Sequence, residues 1–401
     1  MSRTSKIAIG ALVVLLAAAP FVPRGGDEDG AVAPSGEEKV DPLAMAATAG
    51  PGRVTPAMRA EIERVVDTGQ TVGRLATKID PDQMARQLVR CADLEGQRYC
   101  LYTGWTTRSA ERVQARMARA ARAISLRPRR TAENTGDLDA LALLERAAAL
   151  SPQARAKAER QELTEAARSV AKVWLLRHQI QGVALPSNFL ESHPEARAPV
   201  GARTAAPVKG HADYPDRAKI LTAARSSAQR RSYWCGPTTM QMIAWGWHHE
   251  SRRQQLWARR LHTTSQGTGI SDMVRVVNRR TGFDRPSRAG RYIVLDISTW
   301  KFRKWYLLQK RHIVDYRAPL VLHPVLLKRF YPYLDDDASG HFQVGRGYDI
   351  NGDKPAMLGY FEPWNQQRFD PSEPFISRVQ WRDAYKSYRA NRAHFQQNIG
   401  V

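Results

Sequence analysis

The sequence predicts an α+β protein, with a mostly helical N-terminal domain and a C-terminal domain in which helices precede a sheet. Three observations predict it. Apolar residues recur at three- and four-residue steps over residues 55–181, beginning with Met58, Ile62, Val65 and Val66. A stretch carrying Pro186, Pro194, Pro199, Pro207 and Pro215 then breaks the pattern. Beyond Arg217 the helical segments give way to short, β-branched and aromatic runs bounded by turn residues.

Taken in order, Met1 to Lys6 form a basic head and residues 7–19 an apolar run too short to span a bilayer comfortably. With Ala17-Ala18-Ala19 behind it, this reads as an export signal over residues 1–22, an uncleaved N-terminal anchor being the alternative. The expected location is therefore secreted or extracytoplasmic. No cysteine follows the apolar run, which excludes a lipoprotein. Residues 23–52, rich in Gly, Ala, Pro, Asp and Glu, read as a disordered spacer.

Residues 53–184 form the helical domain. Segments 83–89, 110–124 and 138–148 continue the period, and Ser151-Pro152 offers a cap and a first-turn proline for one long helix reaching 181. A strand pair near 98–105 interrupts them. Cys91 and Cys100 bracket a turn at Gly96 and are the expected disulfide of an exported chain, leaving Cys235 free. No chemistry is visible in this half. Residues 185–215 read as a linker.

Residues 216–401 make the second domain. Helices are expected at 236–248, 251–261 and 270–279, and strands at 292–296 and 319–323. An antiparallel pair is expected at 342–348 and 357–361. The tail, with Trp381, Tyr385 and Tyr388 at helical steps, reads as a packed helix.

Net charge is +22, from 61 Lys and Arg against 39 Asp and Glu. Clustered basic residues would suggest nucleic acid, but here arginine is dispersed along the whole chain. An anionic cell-wall or membrane surface suits that charge and location better, and no nucleic-acid partner is expected. Nor is a metal or cofactor. Adjacent His248 and His249 diverge by ~100° on a helix, and Asp335-Asp336-Asp337 lacks the spacing of a calcium loop. Trp245, Trp247 and Trp257 read as core packing, with a substrate groove as the alternative.

The chemistry gathers around Cys235. It opens a helix in Tyr233-Trp234-Cys235-Gly236-Pro237-Thr238, where unpaired N–H groups favour a thiolate. Gln229 lies shortly upstream and can donate its amide to an oxyanion, together with the Cys235 N–H. His341, after Gly340, can supply the base. Glu362 ends the returning strand and is the favoured partner for the imidazole. Asn365 is the alternative, and Asp349 lies at the far turn.

These residues, with Gly267-Thr268-Gly269-Ile270-Ser271-Asp272-Met273, Gly347-Tyr348-Asp349 and Phe361-Glu362-Pro363, resemble the family-39 cysteine peptidases and their exported bacterial relatives, a branch of the papain-like superfamily. The resemblance covers about residues 219–365. It implies a papain-like fold, Cys235 as nucleophile, His341 as general base, an acidic or amide third residue and Gln229 at the oxyanion hole. Founding members cut double-glycine leaders and are fused to transporters. No transporter is recognised here, so that substrate is not carried over. Family members usually place aspartate before the last motif's proline, where this chain has Glu362.

The expected function is a secreted thiol hydrolase that cuts amide bonds in peptides or proteins. One rival is a cell-wall endopeptidase with a Cys-His-polar triad. The other is a catalytically silent binding scaffold, for which a buried Cys235, or one far from His341, is the discriminating observation.

Overall fold

The computed structural model describes residues 45–70, 80–126, 134–198, 208–351, 356–372 and 374–401. The expected signal and most of the expected spacer lie outside them.

In the N-terminal half the apolar periodicity becomes α1 (Pro56–Gln70), α2 (Pro81–Leu88), α3 (Ala110–Ser125) and α4 (Ala140–Ala148). The segment expected as one long helix is instead α5 (Pro152–Ala167) and α6 (Val170–Leu176), ending in a π turn at Arg177–Gln181. Ser151 caps α5 by accepting the Ala154 N–H at 3.2 Å, as its position predicts. Residues 45–52 differ from the expected spacer. They pack, with Ala49 buried and the Ala46 N–H on the Ala196 carbonyl.

Where one strand pair was expected, three short strands follow one another: β1 (Cys91–Leu94), β2 (Gln97–Cys100) and β3 (Gly104–Thr106). Cys91 and Cys100 face each other across β1 and β2 and are disulfide-bonded. The turn between them places Gly96 at φ 75°, a conformation that favours glycine.

The remaining elements are α7 (Phe189–Ser192), β4 (Arg217–Lys219), α8 (Cys235–His248), α9 (Gln254–Arg260), α10 (Ile270–Arg280), β5 (Val294–Asp296), α11 (Phe302–Val314), β6 (Leu320–Leu322), β7 (Gln343–Asp349), β8 (Met357–Phe361), α12 (Gln366–Phe369), β9 (Val379–Asp383), α13 (Ala384–Ala393) and β10 (Asn398–Gly400). The tail corrects the sequence reading. It holds two strands besides the expected helix, and β10 lies inside the sheet between β5 and β6.

The strand order is β1-β2-β3-β5-β10-β6-β7-β8-β9, with β4 on β7. Only the β3–β5 contact is parallel among these pairs. It joins the hairpin of the N-terminal half to the C-terminal sheet, so the expected boundaries near 184 and 215 do not mark a gap in packing. One apolar cluster accordingly draws on both halves, including Met58, Leu94, Trp105, Leu176, Leu295, Trp305 and Tyr360. Each fully buried aliphatic side chain in it contributes roughly 1.5–3 kcal/mol. A second cluster packs α8 and α10 against the sheet through Met240, Ile243, Met273, Val321 and Phe342. The described fold is α+β, and none of its helices is long and apolar enough to cross a membrane.

Candidate functional site

Cys235 is the first residue of α8, whose early N–H groups have no partner within the helix. Pro237 sits in that turn, where a missing N–H costs nothing. The Gly236 and Phe342 N–H groups point at the Cys235 sulfur and favour its anion. They do not prevail. Burial is the larger effect and pushes the thiol well up, and the Asp137 carboxylate raises it further. Full enclosure of the sulfur therefore disfavours the expected thiolate in this arrangement.

His341 and Glu362 meet because β7 and β8 are antiparallel neighbours. The Val344–Phe361 pairing sets Glu362, just after β8, beside the run entering β7. His341 Nε2 lies 2.7 Å from Glu362 Oε1, and both side chains are fully buried. Four donors satisfy the carboxylate. Oε1 also accepts the Trp364 N–H at 2.9 Å, while Oε2 accepts the Tyr333 hydroxyl and the Gln343 amide, each at 2.7 Å. Burial alone would push Glu362 up, but the His341 charge and these hydrogen bonds hold it below the usual carboxylate range. His341 Nδ1 is buried and has no hydrogen-bond partner among the described residues.

Glu362, rather than Asn365, thus stands against the imidazole; Asn365 precedes the short α12 without a side-chain capping bond. Asp349 lies at the opposite end of β7, 3.3 Å from Arg217. Gln229 is fully buried, and its Nε2 points at the carbonyl oxygens of Arg231, Ser232 and Thr135. At Thr135 it converges with the Cys235 N–H. Both donors reach the Thr135 carbonyl oxygen at 3.2 Å.

That carbonyl comes from the half in which the sequence reading found no chemistry. Residues 134–138 cross the site between α3 and α4. Asp137 on this strap meets two buried histidines, with Oδ1 2.9 Å from His323 Nε2 and Oδ2 2.7 Å from His394 Nε2. The histidine rings lie 3.8 Å apart between centroids. His323 Nδ1 faces Asn398 Oδ1 at 2.7 Å, and His394 Nδ1 accepts the Gln396 N–H at 3.2 Å. The His394 proton therefore sits on Nε2 and is donated to Asp137.

Asp137, His323 and His394 are the cluster among the described residues whose ligand atoms could converge on one ion. The His394 tautomer, however, leaves no lone pair facing Asp137, and the trio fits a hydrogen-bonded anchor better. Burial, then the neighbouring His323, pushes His394 down to about 4. Burial would raise Asp137, yet His323 and His394 hold it below its ordinary value.

Beside the strap is a cavity of about 470 Å³ whose wall includes Leu138, Glu162, Ile270, Arg275 and Gln396. The Glu162 carboxylate accepts the Tyr99 hydroxyl at 2.9 Å and the Tyr102 N–H at 3.1 Å. Burial pushes it up to about 7.

The other marked side chains lie elsewhere. Trp257 is core, and Trp245 and Trp247 sit toward the end of α8 away from Cys235, under Arg225 and Arg285 respectively. His249 terminates α8 at φ 60°. Asp337 accepts the Lys328 N–H in a surface turn. Nothing in the pattern of Asn134-Thr135-Gly136-Asp137 marked it. The available signal was His323, a polar residue directly after an apolar strand.

Among curated proteins no significant match to the chain is found. Compared with known families, residues 221–392 match the model described as Peptidase_C39 like family.

Proposed function

From the match of residues 221–392 to the Peptidase_C39 like family, we propose a thiol hydrolase of papain-like design that cuts amide bonds in peptides or proteins outside the cytoplasm. Cys235 is the nucleophile. His341, through the free Nδ1, takes the thiol proton and delivers it to the departing amine, then activates the water that releases the acyl group. Glu362 fixes the ring orientation and balances the imidazolium charge. The Cys235 N–H and Gln229 Nε2 hold the developing oxyanion.

One observation carries this reading: two buried donors converge on a single carbonyl oxygen at the mouth of α8. In the ground state each gains an ordinary hydrogen bond. Toward a tetrahedral oxyanion the same pair is worth more, and losing one such donor typically costs roughly 10²–10³ in rate.

The burial of Cys235 favours a second reading, the silent binding scaffold. The net charge of +22 suits a cell-wall substrate for the active form. The deciding experiment is iodoacetamide labelling of Cys235 across pH 4–9 in wild type and His341→Ala, with peptide and peptidoglycan digests read by mass spectrometry. The hydrolase reading expects His341→Ala to slow labelling most at acidic pH, and products that vanish in Cys235→Ala. Equal labelling profiles and no Cys235-dependent product would establish the scaffold.

A further inference from the structure

Residues 134–138 are held across the candidate site as a peptide ligand would be. The Thr268 N–H donates to the Gly136 carbonyl at 2.8 Å, and the Leu138 N–H donates to the Thr268 carbonyl at 3.0 Å. The Thr135 N–H donates to Ser339 Oγ at 3.0 Å, and its hydroxyl donates to the Gly340 carbonyl at 2.7 Å. The Thr135 carbonyl takes the two donors proposed for the oxyanion. Gly136 is required at its place. Its φ is 114°, and a Cβ there would lie 2.4 Å from the Tyr233 carbonyl carbon. Asp137 is sunk between His323 and His394, and Gly340 has the room to admit it, since a Cβ there would meet Asp137 Oδ2 at 2.4 Å.

The direction of the strap decides whether it is substrate or plug. Cleavage at Thr135 would release the Gly136 nitrogen, which His341 would have to protonate. Yet the side of Thr135 facing Ser339 and Gly340, the residues leading into His341, is its own N–H and hydroxyl. The Gly136 N–H turns instead to Asn134 Oδ1 at 3.0 Å, and Gly136 packs on Tyr233 and Trp234. The carbonyl fills the hole, and the leaving nitrogen is engaged by Asn134 Oδ1 while His341 Nδ1 has no hydrogen-bond partner among the described residues. Such a segment occupies the site without being cut.

We propose that residues 134–138 are an intramolecular strap that keeps the hydrolase latent, anchored by Asp137 between His323 and His394, and that activity requires the strap to lift. This rests on the reading of Cys235 as nucleophile. It also accounts for the buried thiol without the scaffold: the enclosing wall includes a removable piece of the same chain. The Asp137 carboxylate near the sulfur adds a second restraint, because it disfavours the thiolate while the strap is down.

The test uses the full chain and Gly136→Ala, a position outside the proposed machinery. Cys235 is the free thiol and Cys91 and Cys100 are bonded, so alkylation reports one site. With folding verified by circular dichroism, Gly136→Ala is expected to raise the iodoacetamide labelling rate at pH 7 roughly tenfold or more, as a shift in local opening would. A folded variant that labels at the wild-type rate overturns the strap. Should the variant not fold, hydrogen exchange on the wild-type chain decides. Labelling of Cys235 faster than opening of the Leu138 amide allows would overturn the proposal, and matched opening would support it. Adding His341→Ala to Gly136→Ala separates the two readings. If labelling stays fast at pH 7 but loses no acid-side reactivity, the triad fails and the strap stands.

Discussion

Replacing Glu362 by Gln is the most direct test of how the candidate site is built, because all four groups around the carboxylate are donors. One glutamine oxygen can keep two of them. Its NH2 must then face either His341 Nε2 and the Trp364 N–H, or the Tyr333 hydroxyl and the Gln343 amide. The Tyr333 hydroxyl has an escape, since the Tyr360 hydroxyl lies 3.2 Å away. The Gln343 amide has no other partner among the described residues, and an orphaned buried donor costs about 1–3 kcal/mol. A loss of about 1–3 kcal/mol at pH 7 is therefore expected from the orphaned donors.

The pH dependence has a definite sign. The folded Glu362 lies below its ordinary value of 4.5, so its contribution is present above that value and disappears as pH falls through the folded one. Urea unfolding followed by tryptophan fluorescence at pH 7 and at successive steps below 4.5 should show the gap between wild type and Glu362→Gln closing toward acid. A variant within about 0.5 kcal/mol of wild type at pH 7, or a gap indifferent to pH, would refute this account of the buried carboxylate.

Three further outcomes are expected. Glu162 has a folded value of about 7 against an ordinary 4.5, so its protonated form favours the fold and that benefit is lost as pH rises through 7. Glu162→Gln keeps an acceptor for Tyr99 and Tyr102 and should be more stable than wild type at pH 8 by about 2 kcal/mol, discounted for water in the cavity, with no gain at pH 4; urea curves at both pH values check it. Replacing Cys91 and Cys100 together by Ser should cost about 2–3 kcal/mol, read from the urea midpoint, because it restores the entropy of a short loop. In the Gly136→Ala background, Gln229→Ala should lower peptide turnover by roughly 10²–10³ while leaving the pH profile of Cys235 labelling unchanged.

The sequence exposed the parts of this molecule that depend on neighbours along the chain. The 3.6-residue period marked α1, α2, α3 and α10, and the turn at 349–355 between two apolar and aromatic runs marked β7 and its return in β8. Cysteine spacing marked the disulfide, and a proline in a first helical turn marked Cys235 as the start of α8. Glu362 could be placed beside His341 because a hairpin turns a chain distance into a spatial one. Long-range pairing left no such trace. β10 is three residues long and ends in glycine, and it is a strand because β5 and β6 flank it. The break between α5 and α6 has no proline or glycine to announce it. The tail's Trp381 follows a helical step yet lies on β9 against β8, where burial and pairing override the local period.

The strap was illegible for the same reason, and its invisibility follows from what it does. A segment that must both bind and release cannot carry a long apolar period of its own, because burying such a face would tie its release to the unfolding of a core. Residues 134–137 instead hold by a few hydrogen bonds and one carboxylate, and only Leu138 at the strap's end is seated in an apolar cluster, with Leu88, Val113 and Leu144. The next residue, Asp139, caps α4 by accepting the Ala142 N–H at 2.8 Å, so the helix beyond can stay formed while the strap moves. The β3–β5 pairing fixes the N-terminal hairpin in the sheet independently of the strap. Lifting residues 134–137 about a seated Leu138 is therefore a local event set against a few polar contacts, and that separation of scales allows a buried thiol to belong to an enzyme.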